Sequence, residues 1–179
     1  MINLRQIENK LSVNEFKIFK QQMELQTIDS LYMRLISLIK DLQNNPNNPE
    51  AIKQEKIALH QLFFIFGPQM RKALILLDQK DISKYQCEIM QQCIPLMSVY
   101  KINERSESLD KQNKAYLVFI SENGAKYCNC EDYVNNIVSD SNNIICNHIL
   151  AALLSEAYAE YKIIKVDLNQ YLNLCAACC

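Results

Sequence analysis

Lys126-Tyr127-Cys128-Asn129-Cys130, then fifteen residues, then Cys146-Asn147-His148-Ile149-Leu150 is the stretch on which the reading of this chain turns. It supplies three thiolates and one imidazole, Cys128, Cys130, Cys146 and His148, the donor set of a closed tetrahedral Zn²⁺ site. Zn²⁺ has no d-electron preference for geometry, so four such donors suffice and no water is needed. The Cys-x-Cys spacing is tighter than the common Cys-x₂-Cys knuckle, and a tight bend aims both thiolates at one ion. His148 carries weight because the chain has two histidines. The bland alternative is three free thiols beside a chance histidine. Tight spacing at both ends, between a hairpin signal and an apolar helix, argues for the metal.

Upstream of the first ligands, Asn123-Gly124 is the strongest short-range hairpin signal in the chain. Before it, Ala115 to Ile120 is rich in β-branched and aromatic residues and predicts a strand, and Val99, Tyr100 and Ile102 predict another. Downstream, His148 opens an apolar helix carrying Ile149, Leu150, Leu153, Leu154, Ala157 and Tyr158, apolar round much of its circumference and therefore buried. The polar loop between the ligand pairs is interrupted by Tyr133, Ile137 and Val138, which can plug a small core beside the metal.

The N-terminal half reads as helix. Ser12 and Glu15 form a capping box, and Phe16, Phe19, Met23, Leu31, Leu35, Leu38 and Leu42 give an apolar stripe over residues 12–43. Fewer than two clean heptads favour packing on the domain or on a partner over a coiled coil. A turn-rich Asn/Pro linker follows. Asn48 and Pro49 then start a helix with Ile52, Leu59, Leu62, Phe63 and Phe66 as its apolar side. Gly67 ends it, and Pro68 opens another with Met70, Ala73, Leu74 and Leu77 buried. His60 is expected to be a packing or surface residue, and residues 81–93 are ambiguous. The expected class is α+β: a helical N-terminal half, then a small antiparallel sheet and a zinc-clamped ββα finger. The expected organisation is an extension and linker at 1–48, a core at 49–168 with the finger at 126–149, and a Cys-rich tail at 169–179.

Composition sets limits. With 179 residues, 49% hydrophobic and 22% charged, the chain has the material of one buried domain plus a helical extension. Nineteen basic against twenty acidic residues create no global positive field for nucleic acid. Two glycines, Gly67 and Gly124, exclude the Gly-rich phosphate loops and the Gly-x-Ser-x-Gly elbow. The start of the chain lacks a signal peptide's apolar core, and no run approaches the ~20 apolar residues of a membrane span. The expected setting is a reducing compartment, where clustered thiols favour metal over disulfides.

Three further cysteines end the chain: Cys175, Cys178 and Cys179. The plainest reading is a frayed thiol-rich tail. A terminal Cys-Cys also resembles a prenylation signal, but no P-loop accompanies it and Ala176 stands where a C-a-a-X cysteine belongs. Cys175 and Cys178 could instead share a second metal with Cys87 and Cys93, or act as a redox dithiol. Alone, Cys87 and Cys93 read as small buried hydrophobes.

The pattern Cys-x-Cys, spacer, Cys-x-His leading into an apolar helix resembles the SWIM zinc finger. Leu62-Phe-Phe-Ile-Phe-Gly67 followed by Ala73-Leu-Ile-Leu-Leu-Asp78 is similar to the segment upstream of the finger in the small SWIM-domain subunits of the Shu complex. The similarity covers about residues 55–165. The resemblance implies a non-catalytic nuclear protein with no small-molecule substrate and no membrane attachment. It would work in homologous recombination repair as the heterodimeric partner of a divergent RecA-type recombinase paralogue. Single-stranded DNA is then met through the complex. The implied zinc ligands are Cys128, Cys130, Cys146 and His148. Glu131 stands where the family often has Pro, and Asn147 where it commonly has Lys. Between Ser121 and His148, Lys126 is the one base against Glu122, Glu131, Asp132 and Asp140, a poor composition for reading phosphates. The finger is therefore expected to be a folding clamp and protein-binding surface. The alternative is a stand-alone SWIM module acting on nucleic acid or as a ubiquitin-pathway adaptor.

Overall fold

The computed structural model describes residues 13–87, 97–105, 114–122, 124–135 and 145–176, the side chains of residues 13–25 excepted. Ser12, the side chains of Glu15, Phe16, Phe19 and Met23, and also Cys93, Asn123, Ile137, Val138, Asp140, Cys178 and Cys179 lie outside the described residues.

Three helices come first: α1 (Val13–Leu42), α2 (Pro49–Phe66) and α3 (Pro68–Asp78). Asn48 caps α2 as its sequence suggests, its Oδ1 accepting from the Glu50 amide at 3.0 Å, with Pro49 in the first turn. Gly67 closes α2 and starts α3 with φ +52° and ψ −123°, a conformation that L side chains rarely adopt. The buried stripe of α1 differs from the expected one. Tyr32, Leu35, Ile36 and Ile39 face the core, while Leu31 is 48% and Leu38 is 38% exposed. Both sets recur at helical spacing, so periodicity alone could not choose between them; packing against α2 and against the helix Asn147–Tyr158 chose. On α2 the buried residues are Ala51, Ala58, Leu62 and Phe66, with Leu59 partly covered, whereas Ile52 and Phe63 lie on the surface. On α3 they are Met70, Ala73, Leu76 and Leu77, with Leu74 partly covered.

The sheet has five strands in the order β4-β3-β2-β1-β5: β1 (Ile82–Gln86), β2 (Met97–Glu104), β3 (Lys114–Ser121), β4 (Lys126–Cys128) and β5 (Lys162–Lys165). Neighbours β1 to β4 are antiparallel, and β5 joins β1 in parallel at the edge. The strand alternation sorts residues to two faces. Ile82, Tyr100, Ile102, Val118 and Cys128 meet the helical layer. Val99, Phe119 and Cys87 point the other way, where Tyr171 of α5 (Leu168–Ala176) covers them. Cys175, read from sequence as part of a frayed tail, thus lies in a docked helix, while Cys178 and Cys179 fall outside the described residues. The Tyr171 hydroxyl donates to the Met97 carbonyl at 2.8 Å. Between β4 and β5 runs α4 (Asn147–Tyr158), whose Ile149, Leu150 and Leu154 are fully buried, each worth about 1.5–3 kcal/mol of transfer free energy.

One polar cluster pins α4 to the sheet. Glu156 accepts from Lys84 Nζ at 2.9 Å and from the Tyr100 hydroxyl at 2.7 Å, and the Lys84 ammonium lies over the Tyr100 and Tyr161 rings. Burial alone would raise the Glu156 carboxyl, but the bonds from Lys84 and Tyr100 outweigh it and hold the group below its ordinary value. A depressed folded pKa contributes stability above the unfolded value and loses it as pH falls through the folded one. Glu156→Gln is therefore expected to lower stability at neutral pH by about 1–3 kcal/mol. The gap between variant and wild type should narrow on acidification below about pH 4. Urea melts of both proteins across that range check this.

Candidate metal centre

Sheet register delivers the first ligand. Tyr100 lies opposite Val118, and Val118 opposite Cys128, so Cys128 ends a cross-strand row on the helix-covered face. The β3–β4 turn closes through the Ser121 amide on the Ala125 carbonyl at 2.9 Å, which leaves a three-residue loop with Gly124 at φ +89°. Beyond Cys128 the strand bends, and Asn129 holds the bend. Its amide donates to the Leu117 carbonyl at 3.3 Å, and its Oδ1 accepts from the Leu117 amide at 2.9 Å. The side chain thus takes over the ladder and frees Cys130 to turn inward. Residues 131–135 then form one helical turn, the Val134 amide donating to the Cys130 carbonyl and the Tyr133 amide to Cys130 Sγ at 3.3 Å. Tyr133 packs on Tyr127 and donates its hydroxyl to the Lys126 carbonyl at 2.6 Å, so it does plug the space beside the site.

The other two ligands come from the start of α4. Cys146 is its extended N-cap residue, its carbonyl receiving the Leu150 amide at 3.1 Å. A thiolate there also faces the positive end of the helix. His148 stands in the first turn, with the Tyr116 ring 4.1 Å from its own, centroid to centroid.

Cys128, Cys130, Cys146 and His148 are all buried, and one ligand atom from each lies within 4.8 Å of the others. Four donors about 2.3 Å from one tetrahedral ion would sit about 3.8 Å apart, so little closing is required. A second observation makes the same case. Both His148 ring nitrogens are buried without a hydrogen-bond partner, and the Glu104 carboxylate is 3.7 Å from Nε2, outside bonding range. An orphaned buried polar atom costs about 1–3 kcal/mol, and coordination would remove one of them. The thiols agree with this. Hydrogen bonds from Cys128, then from Cys146, pull Cys130 down, while the bond to Cys130 pushes Cys128 up. Such a box resists holding three thiolates by itself, and a divalent cation would supply the missing charge. The residues present fit a zinc ion.

Lys126, the finger's one base, is turned inward. Its side chain is 7% exposed, and its ammonium binds Asp29 Oδ1 at 3.1 Å and the Gly124 carbonyl at 3.0 Å, over the Tyr32 ring. The Tyr32 hydroxyl donates to the same Asp29 oxygen. Asp29 and Tyr32 were not legible as parts of the site, because they lie on α1 and Asp29 is 97 positions away. The pairing fastens the finger to the N-terminal helix and leaves the finger no free ammonium. Asp29→Ala strands a buried charge and is expected to cost about 2–4 kcal/mol. Asp29→Ala combined with Lys126→Met should recover most of that, as thermal melts of the three proteins would show.

The remaining residues singled out by sequence fall elsewhere. His60 is exposed, its Nδ1 2.8 Å from the Lys56 carbonyl. Cys87 is buried in the sheet's second face, and Cys175 packs against that same cluster.

No family model matches the chain, and no solved structure matches it. Two curated proteins are similar to it. Zinc finger SWIM domain-containing protein 7 homolog of Dictyostelium discoideum is 23% identical over 139 residues, covering 78% of each chain. Zinc finger SWIM domain-containing protein 7 of Danio rerio is 28% identical over 120 residues, covering 67% of this chain and 74% of its own. Together with the buried Cys₃His cluster, these relatives support a SWIM-type zinc finger protein.

Proposed function

We propose that this chain is a non-catalytic, zinc-clamped subunit of a Shu-like complex. It would pair in the nucleus with a divergent RecA-type recombinase paralogue and so promote homologous recombination repair. The observation that carries the reading is the buried donor set: Cys128, Cys130, Cys146 and His148 would fill all four positions of a tetrahedral ion and leave no coordination site for substrate or water. Such a centre folds a surface and performs no chemistry. The inward turn of Lys126 supports protein contact over phosphate contact at the finger. The similarity of residues 62–78 to the Shu-complex SWIM subunits supports the choice of partner.

Co-expression with RecA-type paralogues of the same organism, followed by size-exclusion chromatography, tests the proposal. A stoichiometric complex is expected, along with no shift of a single-stranded oligonucleotide by the isolated chain at physiological salt. A chain that stays monomeric with every paralogue, or that binds the oligonucleotide tightly alone, overturns it.

A further inference from the structure

Helix α2 is built the wrong way round for a helix that ends at water. Its inner side carries Ala51, Ala58, Leu62 and Phe66, as a core helix should. Its outer side carries Phe64, which is 93% exposed, with Ile57 and Phe63, and among them Lys53, Lys56 and His60. At 100° per residue these six positions fall within about a third of the helix circumference, centred opposite the buried stripe. The carboxylate that sequence places in their midst, Glu55, is withdrawn: it accepts the Tyr158 hydroxyl at 2.7 Å on the inner side. Glu50 stays at the helix start, accepting from Gln54. Among the described residues neither Lys53 nor Lys56 has an ion-pair partner.

We propose that the outer face of α2 is the surface through which this chain binds its protein partner, Phe64 entering an apolar pocket whose rim carries aspartates and glutamates facing Lys53 and Lys56. The proposal rests on the reading of the chain as an interaction subunit and says which surface does the work. Charge chooses among the occupants. A second copy docked face to face would set Lys53 and Lys56 against their own duplicates, which repel. Single-stranded nucleic acid would find rings to stack on in Phe63, Phe64 and His60, but two lysines on the convex side of one helix do not make the basic groove that tracks a strand's phosphates. An apolar pocket with an acidic rim satisfies both halves of the face. Phenylalanine is also among the residues enriched in the buried core of protein–protein interfaces.

The test uses the full-length zinc-loaded chain and the recombinase paralogue that co-purifies with it. Phe64→Glu is expected to weaken binding at least 100-fold, and the Lys53→Glu/Lys56→Glu pair about tenfold, with loss of most of the salt dependence. Both proteins should keep one zinc and the wild-type melting temperature, since the side chains changed are exposed. Wild-type affinity in Phe64→Glu overturns the surface and leaves the proposed function standing. A wild-type chain that binds no paralogue overturns both. Light scattering that shows a wild-type dimer dissolved by Phe64→Glu would assign the face to a second copy. Fluorescence anisotropy that shows a labelled oligo-dT bound through Phe64 would assign it to DNA. Either result overturns the proposal.

Discussion

Serine at position 146 will cost the protein its metal and, with it, the folded C-terminal half. Cys146 joins the two parts of the centre: its thiol faces Cys128 and Cys130, while its backbone caps α4. A structural zinc contributes on the order of 10–16 kcal/mol of apparent binding free energy in finger peptides. A whole domain is stable by about 5–15 kcal/mol. Loss of one thiolate therefore removes as much as the fold has to spare. The damage should spread, because α4 supplies the centre of the core, including Ile149, Leu150 and Leu154, which pack with α1 and α3. Metal analysis of the wild type should return one zinc per chain and of Cys146→Ser less than a tenth of one. The cooperative thermal transition should disappear in the variant, and chelator should abolish it in the wild type. His148→Cys offers the control: four thiolates also hold zinc tetrahedrally, so this variant should keep metal and fold. A metal-free wild type, or a Cys146→Ser protein that melts normally, would remove the basis of the clamp.

Leu154→Ala should give a different kind of loss. Leu154 is fully buried in α4, six positions after His148, and packs in the main core without being one of the four ligand residues. Removing its three outer carbons leaves a cavity in close-packed surroundings and is expected to cost about 2–5 kcal/mol. For a chain of this length that lowers the melting temperature by roughly 4–20 °C. The zinc content should remain one per chain. The two variants together separate the contributions: the ligand substitution removes metal and fold together, and the core substitution weakens the fold with the metal in place. Loss of zinc from Leu154→Ala would show that α4 packing, and not the donor set, holds the ion.

The centre was legible because its information is local. Each ligand pair is spaced by one residue, with Asn129 and Asn147 between, and the hairpin before and the apolar helix after are short-range patterns. The helices were legible for the same reason, through Asn48, Pro49 and Gly67. Two strands were not. β1 lies in a stretch with no clear period. The four residues of β5, Lys162 to Lys165, have side chains exposed throughout, so no alternation marks them. They become strands because β2 offers its edge to β1, and β1 in turn to β5. The α5 helix was missed because Tyr171 is its one buried residue, with Leu168 and Cys175 partly covered beside it, and its target, the second face of the sheet, exists only after the sheet forms.

By itself the chain's residue order determined which atoms can hold the ion, where the helices begin and end, and that the finger is acidic. Tertiary structure alone decided which of two apolar stripes on α1 is inside, that Lys126 is spent on Asp29, and that Phe64 is left in water. The division has one cause. Capping, turn and ligand preferences act over a few bonds, whereas burial and ion pairing depend on surfaces that meet only when residues far apart in sequence are brought together.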